Sequence, residues 1–271
     1  MREYLDKISL TKNSRGVYCL DTSIGCASGM LNNKRGCYND CYSAKSAKIY
    51  GYDFSKTVLR YFKNRKHEIE IINEINKSKL DFIRIGASGD PSENWKHTIN
   101  IIKVISRIEK EIVIITKHWN NLTTDNLKFL STLNICINTS VSALDKFCLL
   151  SNRIKQYKRI KQYCKSVLRI VSANFNLKNE TGKRLAEIQS YLFKNENTLD
   201  TVLRVDKNNE LIRNGIINIF KTNFLGSKTY ASKFNNKTYL GKCSTCLEMC
   251  GIRFFNNNKW FIPKQLNLFN A

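Results

Sequence analysis

Between residues 82 and 205 the chain repeats one pattern: a short run rich in Ile and Val, a polar turn, then a stretch whose apolar residues recur at helical spacing. The apolar runs are residues 82–86, 112–116, 135–139, 167–171 and 201–205, separated by helical patterns around 94–109, 123–131, 143–163 and 181–194. An earlier run, residues 16–22, makes a sixth strand and gives six β/α units. Strands that alternate with helices pair in parallel through right-handed crossovers, so the fold class is α/β, as an open doubly wound sheet or as a full or partial barrel. Both architectures gather reactive loops at the carboxyl ends of the strands. The polar residues fall there: Ser88, Asp90 and Glu93 after the second strand, Lys117 and His118 after the third, Ser140 and Ser142 after the fourth, Asn174 and Asn176 after the fifth, Asp206 after the sixth. Ser, Asp and Asn before a helix are also favoured caps, so each position carries a structural reading beside a functional one.

Around this repeat the chain reads as a polar lead-in over residues 1–15, a helix over 42–50 closed by Gly51, and a longer helix over about 55–77 with Val58, Tyr61, Phe62, Ile69, Ile72 and Ile75 on one side. Residues 1–210 form the β/α body, and 211–271 a Lys- and Asn-rich extension in which the alternation fades. No apolar run of about eighteen residues occurs and the N-terminus has no apolar segment, so a cytoplasmic protein with no membrane partner is expected. The formal charge of +23 points toward a polyanionic partner, although a joint excess of Lys and Asn also arises from compositional drift. Basic and aromatic residues interleave over 153–163, either as a nucleic-acid surface or as a solvated helix face.

A reducing compartment disfavours disulfides and turns attention to metals for the ten cysteines. Cys19, Cys136, Cys148 and Cys164 stand singly in apolar segments and read as small buried hydrophobes. The other six form two groups. Cys26, Cys37 and Cys41 lie in the loop after the first strand, and Cys243, Cys246 and Cys250 in the extension. Three thiolates can hold three irons of a [4Fe-4S] cube and leave the fourth open, whereas a structural zinc ion takes four protein ligands. The second group, C-x2-C-x3-C followed by Gly251, reads as structural zinc or a second iron–sulfur cluster, with Cys19 a candidate fourth ligand.

Ile24-Gly25-Cys26, Gly36-Cys37 and Cys41-Tyr42-Ser43-Ala44 with Ala47, placed after the first strand and running into a helix, resemble the radical S-adenosylmethionine enzymes, and within them a phage-associated branch. The usual spacing in that superfamily is C-x3-C-x2-C; here it is C-x10-C-x3-C, with Asp40 rather than an aromatic before the last cysteine. The resemblance covers residues 16–206 and is strongest at the cysteine loop. It implies a partial (β/α)6 barrel of the radical S-adenosylmethionine type with a small cysteine-containing C-terminal extension. It also implies a [4Fe-4S] cluster on Cys26, Cys37 and Cys41, and S-adenosylmethionine on the open iron. One-electron cleavage would then give a 5'-deoxyadenosyl radical that abstracts a substrate hydrogen. Tyr42 belongs to the motif. Ser88 and Asp90 occupy the place of the family's motif that meets the methionyl amino group, and Asn138, Ser140 and Asn174 match positions that meet ribose or carboxylate.

An electron donor such as flavodoxin or ferredoxin, and a macromolecular substrate, nucleic acid or peptide, follow from the same resemblance. The competing expectation is a zinc-stabilised nucleic-acid-binding protein without radical chemistry, motivated by the charge and the tail cysteines.

Overall fold

Residues 6–194, 197–224, 227–235, 238–246 and 248–253 are described by the computed structural model; residues 254–271 of the extension lie outside the described residues. Among the described residues the main sheet has nine strands: β1 (Leu10–Lys12), β2 (Tyr18–Leu20), β3 (Phe82–Ile85), β4 (Glu111–Thr116), β5 (Ile135–Val141), β6 (Lys165–Ser172), β7 (Thr198–Val205), β8 (Phe220–Phe224) and β9 (Ser227–Ser232). Their spatial order is β1-β2-β3-β4-β5-β6-β7-β9-β8. The six strands β2 to β7 are parallel neighbours in chain order. Strand β1 closes one edge and the β8–β9 hairpin the other, both antiparallel. A doubly wound sheet reverses direction at a switch point. This order has none.

The period of two along each strand sorts residues between two unlike faces. Ile83 and Ile85, Ile112 and Ile114, and Ile135 and Ile137 point one way, into a core shared with Ile71 and Ile75 of α3 (Arg65–Asn76), Ile99 and Ile102 of α4 (Trp95–Ile105), Leu127 and Leu130 of α5 (Thr124–Leu130) and Ile160 of α6 (Phe147–Ile160). Each such fully buried side chain contributes roughly 1.5–3 kcal/mol. Val141, Leu168 and Ile170 continue that face against α6 and Leu192 of α7 (Glu180–Phe193). The alternate residues Phe82, Val113, Cys136, Val167 and Leu199 face away from these helices and meet Cys243 and Ile252 of the extension. Helices α3 to α7 therefore cover one face, and the tail fills part of the other.

Several expectations change in detail. The helix expected over 55–77 begins only at Arg65, because the Asn64 side chain accepts from the His67 amide and stops it there. Upstream, Val58–Leu59 pairs with Ser23–Ile24 as a two-strand ladder beside the cysteine loop. Cys148 is exposed on the first turn of α6, while Cys19, Cys136 and Cys164 are buried as expected. The basic-aromatic stretch 153–163 divides between exposed residues, Lys155 and Lys158 among them, and buried ones. Arg153 and Tyr157 are 1% and 3% exposed, Arg153 pairs with Asp145 at 2.8 Å, and Arg159 donates to the Leu122 carbonyl at 2.7 Å. Among the described residues after 210, the β8–β9 hairpin pairs with β7, and Cys243 and Ile252 pack into the inner face. Among the described residues no helix is long and apolar enough to cross a membrane.

Candidate functional site

The cysteine loop leaves the carboxyl end of β2 and is fixed by its neighbours before any ligand is considered. Asp21, 3% exposed, accepts from three successive amides of the next loop, Gly86 at 3.0 Å, Ala87 at 2.7 Å and Ser88 at 2.9 Å. Gly25 and Gly89 then bridge, with the Gly25 amide donating to the Ser88 carbonyl at 3.1 Å. A Cβ on Gly89 would lie 2.6 Å from the Ser23 carbonyl oxygen, so the two loops touch only because the side chain is missing. From the other side, the Tyr42 hydroxyl at 2.8 Å and the Ser43 hydroxyl at 3.1 Å both donate to the Ala87 carbonyl, tying α2 (Tyr42–Ile49), which follows the short α1 (Ala27–Asn32), to the same loop.

Cys26, Cys37 and Cys41 are all partly buried and line one cavity of about 800 Å³. The Cys26 thiol lies 3.5 Å from Glu93 Oε1, and that carboxylate also accepts from the Ser28 amide at 2.9 Å and hydroxyl at 3.1 Å. Burial, then Asp90, Glu93 and Cys37, push the Cys26 thiol up. Burial also raises Cys37, opposed by Lys117 and reinforced by Cys41. Cys26 and Cys37 thus resist ionisation, and a cation that took them as thiolates would release their protons. Two glycines stand against the cysteines of the loop. A Cβ on Gly29 would lie 2.7 Å from Cys26 Sγ, and one on Gly36, held at φ +78°, would lie 2.5 Å from Cys41 Cβ and 3.6 Å from its Sγ. Among the described residues no three His, Cys, Asp or Glu side chains are grouped tightly enough for a single ion. Three thiols with bare glycine walls are a donor set chemically suited to an iron–sulfur cluster.

Behind this loop lies a buried polar network. Lys117 Nζ donates to the Tyr38 hydroxyl at 2.6 Å and pairs with Asp145 at 3.6 Å, and Asp145 also takes Arg153. Tyr38 and Asn39 adopt φ of 58° and 61°, a strained turn that the Lys117 contact and the Asn209 donation to the Tyr38 carbonyl hold in place. Asp40 pairs with Lys45 and accepts from the Asp206 amide, linking the loop to the end of β7.

The tail cysteines reach the same cavity from the amino-terminal half of the strands. Cys243 and Cys246 are buried, Cys250 is partly so, and all three line the cavity with Cys19. The Cys243 amide donates to the Arg15 carbonyl at 2.9 Å. Cys19 is pushed up to about 11, chiefly by burial, with Cys243 among the groups acting on it.

The other sequence-derived candidates separate. Ser88 is exposed and Ser140 is 8% exposed, and both line the cavity. Asp90 also borders it, but its carboxylate accepts from the Ser92 amide and hydroxyl, the Thr116 hydroxyl and the Lys117 amide at 2.7–3.0 Å. Four donors fill a carboxylate's capacity, so Asp90 acts as a loop cap. Asn138 is fully buried, is not among the lining residues, and donates to the Cys250 carbonyl at 3.0 Å. It anchors the tail. Asn174 also stands outside the lining, in the short ladder with Ile217–Asn218. Sequence reasoning set Glu93 among the loop polar residues without giving it a site role, and missed Asp21 and Lys117 as supports. No model of a known protein family matches the chain, and no curated protein matches it.

Proposed function

We propose that this chain is a radical S-adenosylmethionine enzyme on a partial (β/α)6 barrel, with Cys26, Cys37 and Cys41 as the ligands of a [4Fe-4S] cluster. One observation carries the reading: three thiols from a single loop open onto a cavity at the carboxyl ends of six parallel strands that run in chain order, with helices α3 to α7 on the opposite face. Bound there, the cluster and S-adenosylmethionine would supply one-electron cleavage of a sulfonium and hydrogen abstraction from the substrate.

The chain's own part is to position and to shield. Glu93 holds the first turn of the loop through Ser28, and Asp21 holds the facing loop, so the wall beside Cys26 is preorganised. Tyr42 and Ser43 fix the helix that follows Cys41. The hydroxyls of Ser88 and Ser140 offer polar contacts to a bound cofactor along the cavity wall. Phe82, Val113 and Val167 with the tail exclude water from the far end, which protects reactive species from quenching. Cys243, Cys246 and Cys250, with Cys19 beside them, make a second metal centre, iron–sulfur or zinc. A flavodoxin or ferredoxin would deliver the electron to this basic chain, and the substrate is a nucleic acid or a peptide. The alternative, a zinc-stabilised nucleic-acid-binding protein without radical chemistry, rests on the net charge and the tail cysteines, and zinc as the sole metal would favour it.

Anaerobic reconstitution with iron and sulfide, followed by dithionite and S-adenosylmethionine, tests the reading. Brown protein that releases 5'-deoxyadenosine, with Cys41→Ala releasing none, is the expected result. Zinc as the sole metal with no nucleoside product contradicts it.

A further inference from the structure

Three strands carry the same local phrase, two apolar residues, an arginine and another apolar residue: Phe82-Ile83-Arg84-Ile85 in β3, Val167-Leu168-Arg169-Ile170 in β6 and Val202-Leu203-Arg204-Val205 in β7. Buried parallel strands are otherwise close to uniformly apolar, so a cation inside three of six is a departure that needs a cause. All three guanidinium groups line the 800 Å³ cavity between the two cysteine loops. In register, Arg84 lies between Cys19 and Val113, and Arg169 between Ser140 and Leu199. Arg204 sits over the rings of Tyr42 at 5.6 Å and Phe224 at 4.5 Å, which hold its plane.

Among the described residues none of the three has a carboxylate within ion-pair distance. The nearby Asp200 is otherwise engaged, accepting from Ser172, from Asn235 at 2.7 Å and from Thr238 at 2.6 Å. The Nε of Arg84 is buried with no hydrogen-bond partner. Removing a charge from water without a counter-charge is costly, and a cavity lined this way is complete only when something anionic enters it. The tail thiols are one partial answer, since Arg169 reaches Cys250, but Arg204 lies on the Tyr42 side of the cavity. Guanidinium forks match the planar or tetrahedral oxygens of a carboxylate or phosphate.

We infer that Arg84, Arg169 and Arg204 form an oxyanion-binding subsite for the substrate, which carries a phosphate or carboxylate into the space between the two cysteine loops. This rests on the proposed function only in taking the cavity as the substrate site. A cavity of about 800 Å³ suits the anionic end of a nucleotide or an acidic side chain rather than a folded polymer segment.

The test uses the full-length chain with its metal content and without reductant, so that its outcome is independent of S-adenosylmethionine cleavage. Inorganic phosphate, adenosine 5'-monophosphate and glutarate are titrated calorimetrically at constant ionic strength. Saturable one-site binding of at least one probe is expected, and which probe binds separates a phosphate-bearing from a carboxylate-bearing substrate. R84Q, R169Q and R204Q should each weaken it roughly tenfold or more, the change that losing a charge-assisted hydrogen bond brings. The exposed-lysine variants K155Q and K158Q on α6 should stay within about twofold, since nonspecific attraction to a basic surface spreads over many charges. Should an Arg→Gln variant fail to fold, the Arg→Lys variant keeps charge but loses the fork and should still bind more weakly. No saturable binding by folded protein overturns the inference, as does equal weakening in the lysine controls. Displacement of the probe by S-adenosylmethionine overturns it too, by assigning the arginines to the cofactor. Oxyanion binding without any cleavage activity would leave this subsite standing and remove the proposed chemistry.

Discussion

The two cysteine loops line one cavity but are built differently. The front loop, Cys26 to Cys41, sits at the carboxyl ends of the strands and is held by other loops: Asp21 on residues 86–88, Glu93 on Ser28, Lys117 on Tyr38. The tail loop, Cys243 to Cys250, is held by the sheet itself, with Asn138 of β5 on the Cys250 carbonyl and Gly251 against Val167 of β6. Loop-on-loop support leaves a site that can admit a ligand and adjust to it, while anchoring in a packed sheet makes a fixed wall. On the proposed function, that difference puts chemistry at the front and scaffolding at the tail.

Exchanging the lesions gives the largest contrast. Cys26→Ala, Cys37→Ala or Cys41→Ala should lower S-adenosylmethionine cleavage at least about 100-fold, since even support around a metal ligand is worth 10–100-fold. Cys243→Ala, Cys246→Ala and Cys250→Ala should lower iron or zinc content and thermal stability while leaving cleavage without substrate within several-fold, measured as 5'-deoxyadenosine released. Equal loss from both sets would erase the distinction.

Acid should act on the front support. His118, 2% exposed and bonded to the Thr139 hydroxyl at 3.0 Å, is pulled down to about 4, chiefly by burial. A histidine whose folded value lies below its unfolded value near 6.5 favours folding above that pH and loses this contribution as pH falls toward 4. Urea unfolding should therefore show stability dropping by up to about 3 kcal/mol over that window, and less in His118→Gln.

Removing the donor beneath the tail comes next. Asn138→Leu should cost about 1–3 kcal/mol by leaving the part-buried Cys250 carbonyl with only the weak Cys136 thiol donor, read from denaturant midpoints, with cleavage altered by no more than a few-fold. Backbone substitutions should act on a similar scale. Gly36→Ala and Gly251→Ala, at φ +78° and +94°, should each cost on the order of 1–3 kcal/mol of local strain. Gly36→Ala should lower iron retention at the front loop, and Gly251→Ala should spare it.

Most of the framework was legible because Ile- and Val-rich runs such as 112–116 admit little besides a buried strand, and six of them with helices between imply parallel pairing. Periodicity could not see that Asn64 would override a continuous amphipathic pattern and start α3 ten residues late. Of the candidate site, the six clustered cysteines and Ser88 and Ser140 do face one cavity. Asp90 and Asn138 were legible as polar residues at strand ends, but which neighbour satisfies each is a tertiary fact, and both spend their hydrogen bonds on the protein. The arginines of β3, β6 and β7 were in plain view as a repeated phrase, yet a charge inside an apolar run reads as solvent-facing until the sheet's two faces are known.

Iron and acid-labile sulfide per chain, measured after anaerobic reconstitution of the wild type and of the Cys26→Ala/Cys37→Ala/Cys41→Ala variant, tests the assignment of the front loop most directly. Loss of about four irons and four sulfides in the variant, the content of one cube, is the predicted result. Identical iron and sulfide in the two proteins, or zinc alone in both, would contradict it.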